Sequence, residues 1–208
     1  MRSFCNRRVF GLVASGSCVT ALGGGIAFGQ DDVAKGKESK PTTAGGPIEA
    51  AFERDYDAPS FKPAWKKEQI NRTMAQDFVI YAHSSLEMTT KLLDREPGLL
   101  NAAIDWGGGD WETALGGASH MGKKDIVQFL IGRGARVDLF CATMLGKTEI
   151  VKTLLQMQPS LIDAKGPHGF SLHLHAQVGG DEAKETLDYL QSVKEIELKP
   201  VPFLKKKS

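Results

Sequence analysis

Apolar side chains between residues 66 and 195 recur with the spacing of short amphipathic helices. Two segments, 24 residues apart, each place four apolar side chains on one helical face: Ile126, Val127, Leu130 and Ile131, and then Ile150, Val151, Leu154 and Leu155. Helices of about 8–12 residues do not persist alone in water, so each must pack on its neighbours. The pattern therefore predicts a row of short helices that stabilise one another.

The chain also repeats its own sequence. Residues 118–127 match residues 142–151, because both read Ala, three variable residues, Gly-Lys, one variable residue, an acid and Ile-Val. A second match, at an offset of 62 residues, joins residues 92–102 to residues 154–164. Gly122 and Gly146 stand where a first helix must end and turn back, and glycine adopts the left-handed cap conformation without a steric penalty. The predicted unit is helix, tight turn, helix and loop.

One unit carries a specific order of motifs. They are Trp111-Glu112-Thr113-Ala114-Leu115, Ala118, Gly122, Asp125-Ile126-Val127-Gln128-Phe129-Leu130 and Gly134-Ala135. This order resembles the ankyrin repeat, in which Thr-Pro-Leu-His is followed by Ala-Ala, Gly, Ile-Val, paired leucines and Gly-Ala over about 33 residues. Ala114 replaces the family's proline, and Gly116 replaces its histidine.

The resemblance implies an all-α fold, an ankyrin-repeat solenoid of about four helix-turn-helix units over residues 66–195 with the outer two units as caps. The third unit departs from the family because it enters its first helix after Asp138 without the finger that normally projects between repeats. The first unit lacks the glycine turn. By resemblance, such an array implies a scaffold that binds another protein and performs no catalysis.

Residues 1–29 have the layout of a signal peptide, with a basic start, an uncharged apolar middle and small residues before the predicted cleavage site. The residues that define the signal are Arg7, Arg8, Phe10, Ala27 and Gly29. The segment resembles a twin-arginine export signal, although Asn6 and Gly11 depart from that pattern, so general secretion stays open. An uncleaved membrane anchor is the other alternative, although its glycines dilute the apolar run. We expect an exported, periplasmic or secreted protein that is not inserted in a membrane after cleavage.

The segments outside the predicted array differ in composition. Residues 30–47 are rich in Asp, Lys, Gly, Thr and Pro and predict a flexible linker, which an N-terminal extension follows over residues 48–65. Residues 196–208 contain two prolines and end in three lysines and a serine, so they predict a disordered basic tail.

Charge excludes some classes of partner. The chain has 26 basic and 25 acidic residues. Without the basic residues of the predicted signal, the remainder has a slight excess of acidic residues. Proteins that bind nucleic acid through long-range charge need a basic excess, so we expect no nucleic-acid partner. Removal of residues 1–29 leaves Cys141 as the one cysteine, which rules out an intramolecular disulfide in the mature chain.

The loop at residues 105–111 offers the most distinctive recognition surface, since two tryptophans flank three glycines where an ankyrin finger would project. The residues predicted to bind a protein partner are Trp106, Asp110, Trp111, His168 and Phe170. The alternative is that one or both tryptophans fold back to cover the end of the array. The partner's identity and the oligomeric state stay open.

The segment at residues 168–175 offers a second hypothesis, a metal- or small-molecule-binding accessory domain. His168, His173 and His175 could hold a metal ion if the segment were extended, whereas a helix would make His173 and His175 diverge. The sequence contains no nucleophile elbow, phosphate-binding glycine loop or zinc-protease motif. We therefore expect no enzyme activity and no cofactor.

Overall fold

The computed structural model describes residues 49–201 and 203–204. The predicted signal peptide at residues 1–29 and linker at residues 30–47 lie outside these residues, as do the final lysines. The described residues are mostly helical with few strands, which is compatible with an all-α fold. Every helix among them is too short or too polar to traverse a lipid bilayer.

The described elements follow one another along the chain as short helices and one small hairpin. The α-helices are α1 (Arg72–Ala82), α2 (Leu86–Arg95), α3 (Ala114–His120), α4 (Lys124–Gly132), α5 (Leu139–Met144), α6 (Thr148–Met157), α7 (Leu172–Gly179) and α8 (Lys184–Val193). The strands β1 (Ala103–Asp105) and β2 (Trp111–Thr113) pair antiparallel, with Ile104 opposite Glu112. Short 3-10 turns occupy Pro97–Asn101, Pro159–Asp163, Pro167–Gly169 and Gly180–Ala183.

Polar side chains fix where many of the helices begin. Ser85, Thr113, Asp138 and Ser171 each accept a hydrogen bond from a backbone N–H in the first turn of α2, α3, α5 and α7 respectively. Such caps satisfy amides that have no partner inside the helix. The helices α4 and α6 have no side-chain cap, and each begins two residues after a glycine turn.

The helices form consecutive pairs, α1 with α2, α3 with α4, α5 with α6 and α7 with α8. The first helix of each pair contacts the first helix of the next, so α3 lies between α1 and α5, and α5 lies between α3 and α7. Every residue of α3 is buried, and its small side chains permit this close approach. The predicted apolar faces bury Ile126, Val127 and Leu130 in α4 and Val151 and Leu155 in α6.

One predicted core position is wrong. Ile150 was expected on the buried face of α6, but it is half exposed and borders an apolar surface patch with Leu154. The helices α5 and α8 contact α6 along the face that carries Val151 and Leu155 instead. Periodicity alone placed four apolar residues on the buried face of α6, but of these only Val151 and Leu155 are buried.

The glycine turns are confirmed, since Gly122 and Gly146 both adopt a φ of +65°. Gly146 has a second constraint, because a Cβ at this position would lie 2.0 Å from the carbonyl oxygen of Glu182. Gly179 has a reciprocal one, because its Cβ would lie 2.1 Å from the carbonyl oxygen of Met144. The turn after α5 and the turn after α7 therefore pack backbone against backbone.

The segments before α1 and after α8 differ in how they contact the helices. Residues 49–71 contain no helix or strand and expose four aromatic side chains: Phe52, Tyr56, Phe61 and Trp65. In the described part of the predicted basic tail, the carbonyl of Lys199 accepts a hydrogen bond from Gln177. Phe203 packs its ring 6.1 Å from that of Phe170. Val201 and Phe203 are the apolar side chains of this segment that pack, partly buried, against the core.

Candidate functional site

The β1–β2 hairpin forms a finger, defined here as residues 103–113. Its tip turns through Gly107, Gly108 and Gly109, all with positive φ. The carboxylate of Asp105 accepts hydrogen bonds from the N–H groups of Gly107, at 2.8 Å, and Gly109, at 3.0 Å. The acid therefore satisfies the turn's amides, as acids in glycine-rich turns commonly do.

The finger directs its two tryptophans differently. Trp111 is 62% exposed, whereas Trp106 is 41% exposed and donates from Nε1 to Oε2 of Glu112 at 2.7 Å. Successive side chains of a strand point to opposite faces, so Trp111 faces solvent while Glu112 is directed into the protein. One tryptophan folds back, and the other does not.

Glu112 lies at the centre of a cluster that we define as His83, Glu112, His120 and His168. Its Oε2 lies 3.3 Å from Nε2 of His83 and 3.6 Å from Nε2 of His168. Its Oε1 lies 3.0 Å from Nδ1 of His120. Glu112 and His120 are buried, and no lysine or arginine in the described part of the chain pairs with this carboxylate.

Two helix ends place the first two imidazoles. His83 follows α1, and its Nδ1 lies 2.9 Å from the carbonyl oxygen of Val79. Its ring has space because residue 117 is glycine: a Cβ there would lie 2.6 Å from Cε1 of His83. His120 is the last residue of α3, and its ring packs edge-on against that of His83 at 4.9 Å between centroids. The contact between α1 and α3 thus brings the two rings together.

Asp110 holds the third imidazole in place from 58 residues away in sequence. Its Oδ1 accepts from the backbone N–H of His168 at 2.9 Å, and its Oδ2 lies 3.0 Å from Nδ1 of the same residue. His168 has a φ of +59° and is the only non-glycine residue with positive φ among residues 49–201 and 203–204. Strained backbone of this kind persists where surrounding contacts determine it and is concentrated at functional sites.

The cluster changes the proton affinity of Glu112 and His83. Burial alone would raise the pKa of Glu112, but the imidazoles of His120 and His83 outweigh it and hold this pKa at about 2. Burial alone would lower the pKa of His83, but the hydrogen bond and charge of Glu112 raise it above its ordinary value. Glu112 is therefore a carboxylate, not a carboxylic acid, at neutral pH.

Four of the five residues predicted to bind a partner converge around this cluster. Trp106, Asp110, His168 and Phe170 come together, with the ring of His168 5.5 Å from that of Trp106 and 5.8 Å from that of Phe170. Trp111 projects away from them into solvent.

The three histidines grouped by sequence do not come together. His173 and His175 lie in helix α7, so the extended arrangement is wrong, and each binds a backbone carbonyl. Nε2 of His173 lies 3.0 Å from the oxygen of Lys194, and Nδ1 of His175 lies 2.9 Å from that of Ser171. Burial lowers the pKa of both histidines.

Sequence reasoning missed three members of the cluster, His83, Glu112 and His120. The two histidines have one signal in the sequence, which is their position. His83 and His120 both stand where the first helix of a pair ends, and stacked pairs bring such ends together. Cys141, by contrast, lies outside the cluster, and burial raises the pKa of its thiol to about 11. A thiol with this pKa is not a nucleophile at neutral pH.

No protein-family model matches this chain, and comparison with curated proteins finds no similar sequence.

Proposed function

We propose that the chain is an exported ankyrin-type array that binds another protein through its finger and the neighbouring loop at residues 165–170. Two features support the array. The paired helices contact one another in sequential order, as units of a solenoid do, and glycine ends the first helix of the second and third pairs. The order of motifs in residues 111–135 supports the family. Residues 1–29 support export to the periplasm or the medium.

The observation that carries the binding role is the exposed indole of Trp111. The finger separates two surface grooves, of about 260 Å³ and about 460 Å³, and Trp111 borders both. Phe140, Lys165 and Pro167 line the smaller groove. A tryptophan left in solvent on a hydrogen-bonded hairpin offers a large apolar surface at low entropic cost, which is why tryptophan is enriched among interface anchors.

The two tryptophans have different expected roles. Trp106 donates to the buried carboxylate of Glu112, so its replacement by alanine removes a hydrogen bond to a charged group and costs about 1–3 kcal/mol of folding stability. Trp111 has no such contact in the described structure. A variant at Trp111 alone therefore separates binding from folding.

Trp111→Ala should reduce partner capture while changing the midpoint of thermal unfolding by no more than about 2 °C. A photo-cross-linking amino acid at position 111, in the exported chain, should form an adduct with one protein that untagged wild-type chain competes away. Met157, which is 77% exposed on α6, is the matched control position and should not give that adduct. Equal capture by wild type and Trp111→Ala, or the same adduct from both positions, would contradict the binding role.

A further inference from the structure

We propose that the cluster of His83, Glu112, His120 and His168 is a binding site for one divalent transition-metal ion, with zinc as the best-matched ion. The inference stands apart from partner binding, because it rests on the geometry of the cluster alone. A chain that bound zinc and no protein would overturn the proposed function and leave this inference intact.

The separations within the cluster suit a single ion. Each residue offers one ligand atom, and the four atoms all lie within 4.8 Å of one another. Ligands around tetrahedral zinc, with bonds of about 2.0–2.2 Å, lie about 3.3 Å apart. Oε1 of Glu112 lies 3.0 Å from Nδ1 of His120, and Oε2 lies 3.3 Å and 3.6 Å from the Nε2 atoms of His83 and His168, so both carboxylate oxygens face imidazole nitrogens at separations close to that value.

Two buried atoms lack the partner that a cation would supply. Oε1 of Glu112 and Nδ1 of His120 lie 3.0 Å apart, within ion-pair distance, but neither atom makes a hydrogen bond of good geometry and neither has another partner. A buried polar atom without a partner is destabilising and is rare in folded proteins. An ion placed to one side of the line between these atoms would bind both.

In His83 and His168, the ring nitrogen that does not face Glu112 binds a carbonyl or carboxylate oxygen, as in known metal sites. A carbonyl only accepts, so Nδ1 of His83 carries the proton that binds Val79, and in the neutral ring Nε2 presents a lone pair to Glu112. The carboxylate of Asp110 fixes His168 in the same way, again leaving Nε2 toward Glu112. Metal-binding histidines almost always donate their second N–H to a carbonyl or carboxylate.

A proton is the competing occupant, since a protonated His83 would pair with Glu112 without any metal. That arrangement still leaves Oε1 of Glu112 and Nδ1 of His120 without a well-directed hydrogen bond. One metal ion, in contrast, would give both of these atoms a partner.

The donor set selects the class of ion. Three imidazole nitrogens and one carboxylate oxygen suit zinc and its first-row neighbours, whereas calcium and magnesium prefer all-oxygen sites. The indole N–H of Trp106 donates to the carboxylate of Glu112 and so orients this ligand, as hydrogen bonds to the ligands of metal sites commonly do. Four protein ligands fill a tetrahedral zinc site, so the ion would tie the finger and the loop at residue 168 to the ends of α1 and α3.

Zinc binding by the purified full chain tests the site. After removal of bound metal with a chelator, titration against a chromophoric zinc indicator should give one zinc ion per chain. Asp110→Asn should weaken zinc binding by about 10- to 100-fold, because Asp110 orients His168 without being a ligand, and His120→Gln should weaken it by at least as much. His175→Gln is the matched control: His175 is buried like His120, but it lies outside the cluster and binds the backbone carbonyl of Ser171, so zinc affinity should be unchanged.

Cobalt provides a readout that does not depend on a variant folding. The wild-type chain loaded with Co²⁺ should show the intense visible absorption of a four-coordinate site, and added zinc should abolish it. Absence of stoichiometric zinc binding by wild type, or affinities for Asp110→Asn and wild type that agree, would overturn the proposal. Loss of binding in His175→Gln, checked for folding by circular dichroism, would also overturn it, because the metal would then lie elsewhere.

Discussion

Gly117→Ala is expected to weaken zinc binding by about tenfold or more while the helices remain folded. The added Cβ would lie 2.6 Å from Cε1 of His83 and 2.9 Å from its Nδ1, closer than carbon atoms approach. The ring must therefore move, and its bond to the Val79 carbonyl and the position of its Nε2 change with it. Alanine does not weaken helix α3 itself, since glycine is the poorer helix former by about 1 kcal/mol, and the three atoms nearest to the new Cβ all belong to His83. Zinc titration and circular dichroism on the same samples measure the two effects.

Gly132→Ala is the control for this prediction. Gly132 also lies in a helix, and a Cβ there would meet no atom within 4 Å. This variant should keep the wild-type zinc affinity and have equal or slightly higher stability. If Gly117→Ala and Gly132→Ala bound zinc equally well, His83 would not be a ligand, and the arrangement of the cluster would need revision.

Gly146→Ala is expected to lower the free energy of unfolding by about 4 kcal/mol or more, which would leave a domain of ordinary stability close to unfolding. Two effects combine at this position. A φ of +65° is unfavourable for alanine, and the new Cβ would lie 2.0 Å from the backbone oxygen of Glu182. Backbone cannot rotate away as a side chain can, so the turns after α5 and α7 must separate. Urea unfolding at 25 °C measures the loss.

Gly108→Ala isolates the first of these effects. Gly108 has the same φ, +65°, but a Cβ there would meet open space, and it lies in the finger, away from the turn after α7. We expect Gly108→Ala to cost about 1–2 kcal/mol, the price of a left-handed conformation for a residue with a Cβ. The difference between the two variants reports the contact between adjacent turns. Equal losses would show that the turns do not pack against each other in solution.

The local parts of the fold could be predicted from sequence because short-range chemistry fixes them. The two left-handed glycine turns and the buried positions of α4 follow from glycine's lack of a Cβ and from the helical period. Ile150 shows the limit of that reasoning. Its spacing matches the apolar face, but burial depends on which neighbouring helix covers each position, and α5 and α8 cover Val151 and Leu155 instead.

The candidate site could not be predicted in the same way because its members are far apart in sequence. The cluster spans His83 to His168, and Asp110 reaches its partner across 58 residues. Proximity in sequence favoured His173 and His175, whose helix directs each toward a backbone carbonyl. Glu112 gave no sequence signal of its own, because it differs from the exposed acids only in being buried. Its burial follows from the alternation of side chains along β2, which only the structure shows.

The measurement that tests the metal site most directly is ¹⁵N-detected NMR of the imidazole rings during zinc addition. The chain contains five histidines, three inside the cluster and two outside it, all among the residues that the structure describes. Zinc should shift Nε2 of His83, Nε2 of His168 and Nδ1 of His120, saturate at one equivalent, and leave His173 and His175 unchanged. Shifts at His173 or His175, or no shift at the three cluster histidines, would contradict the site.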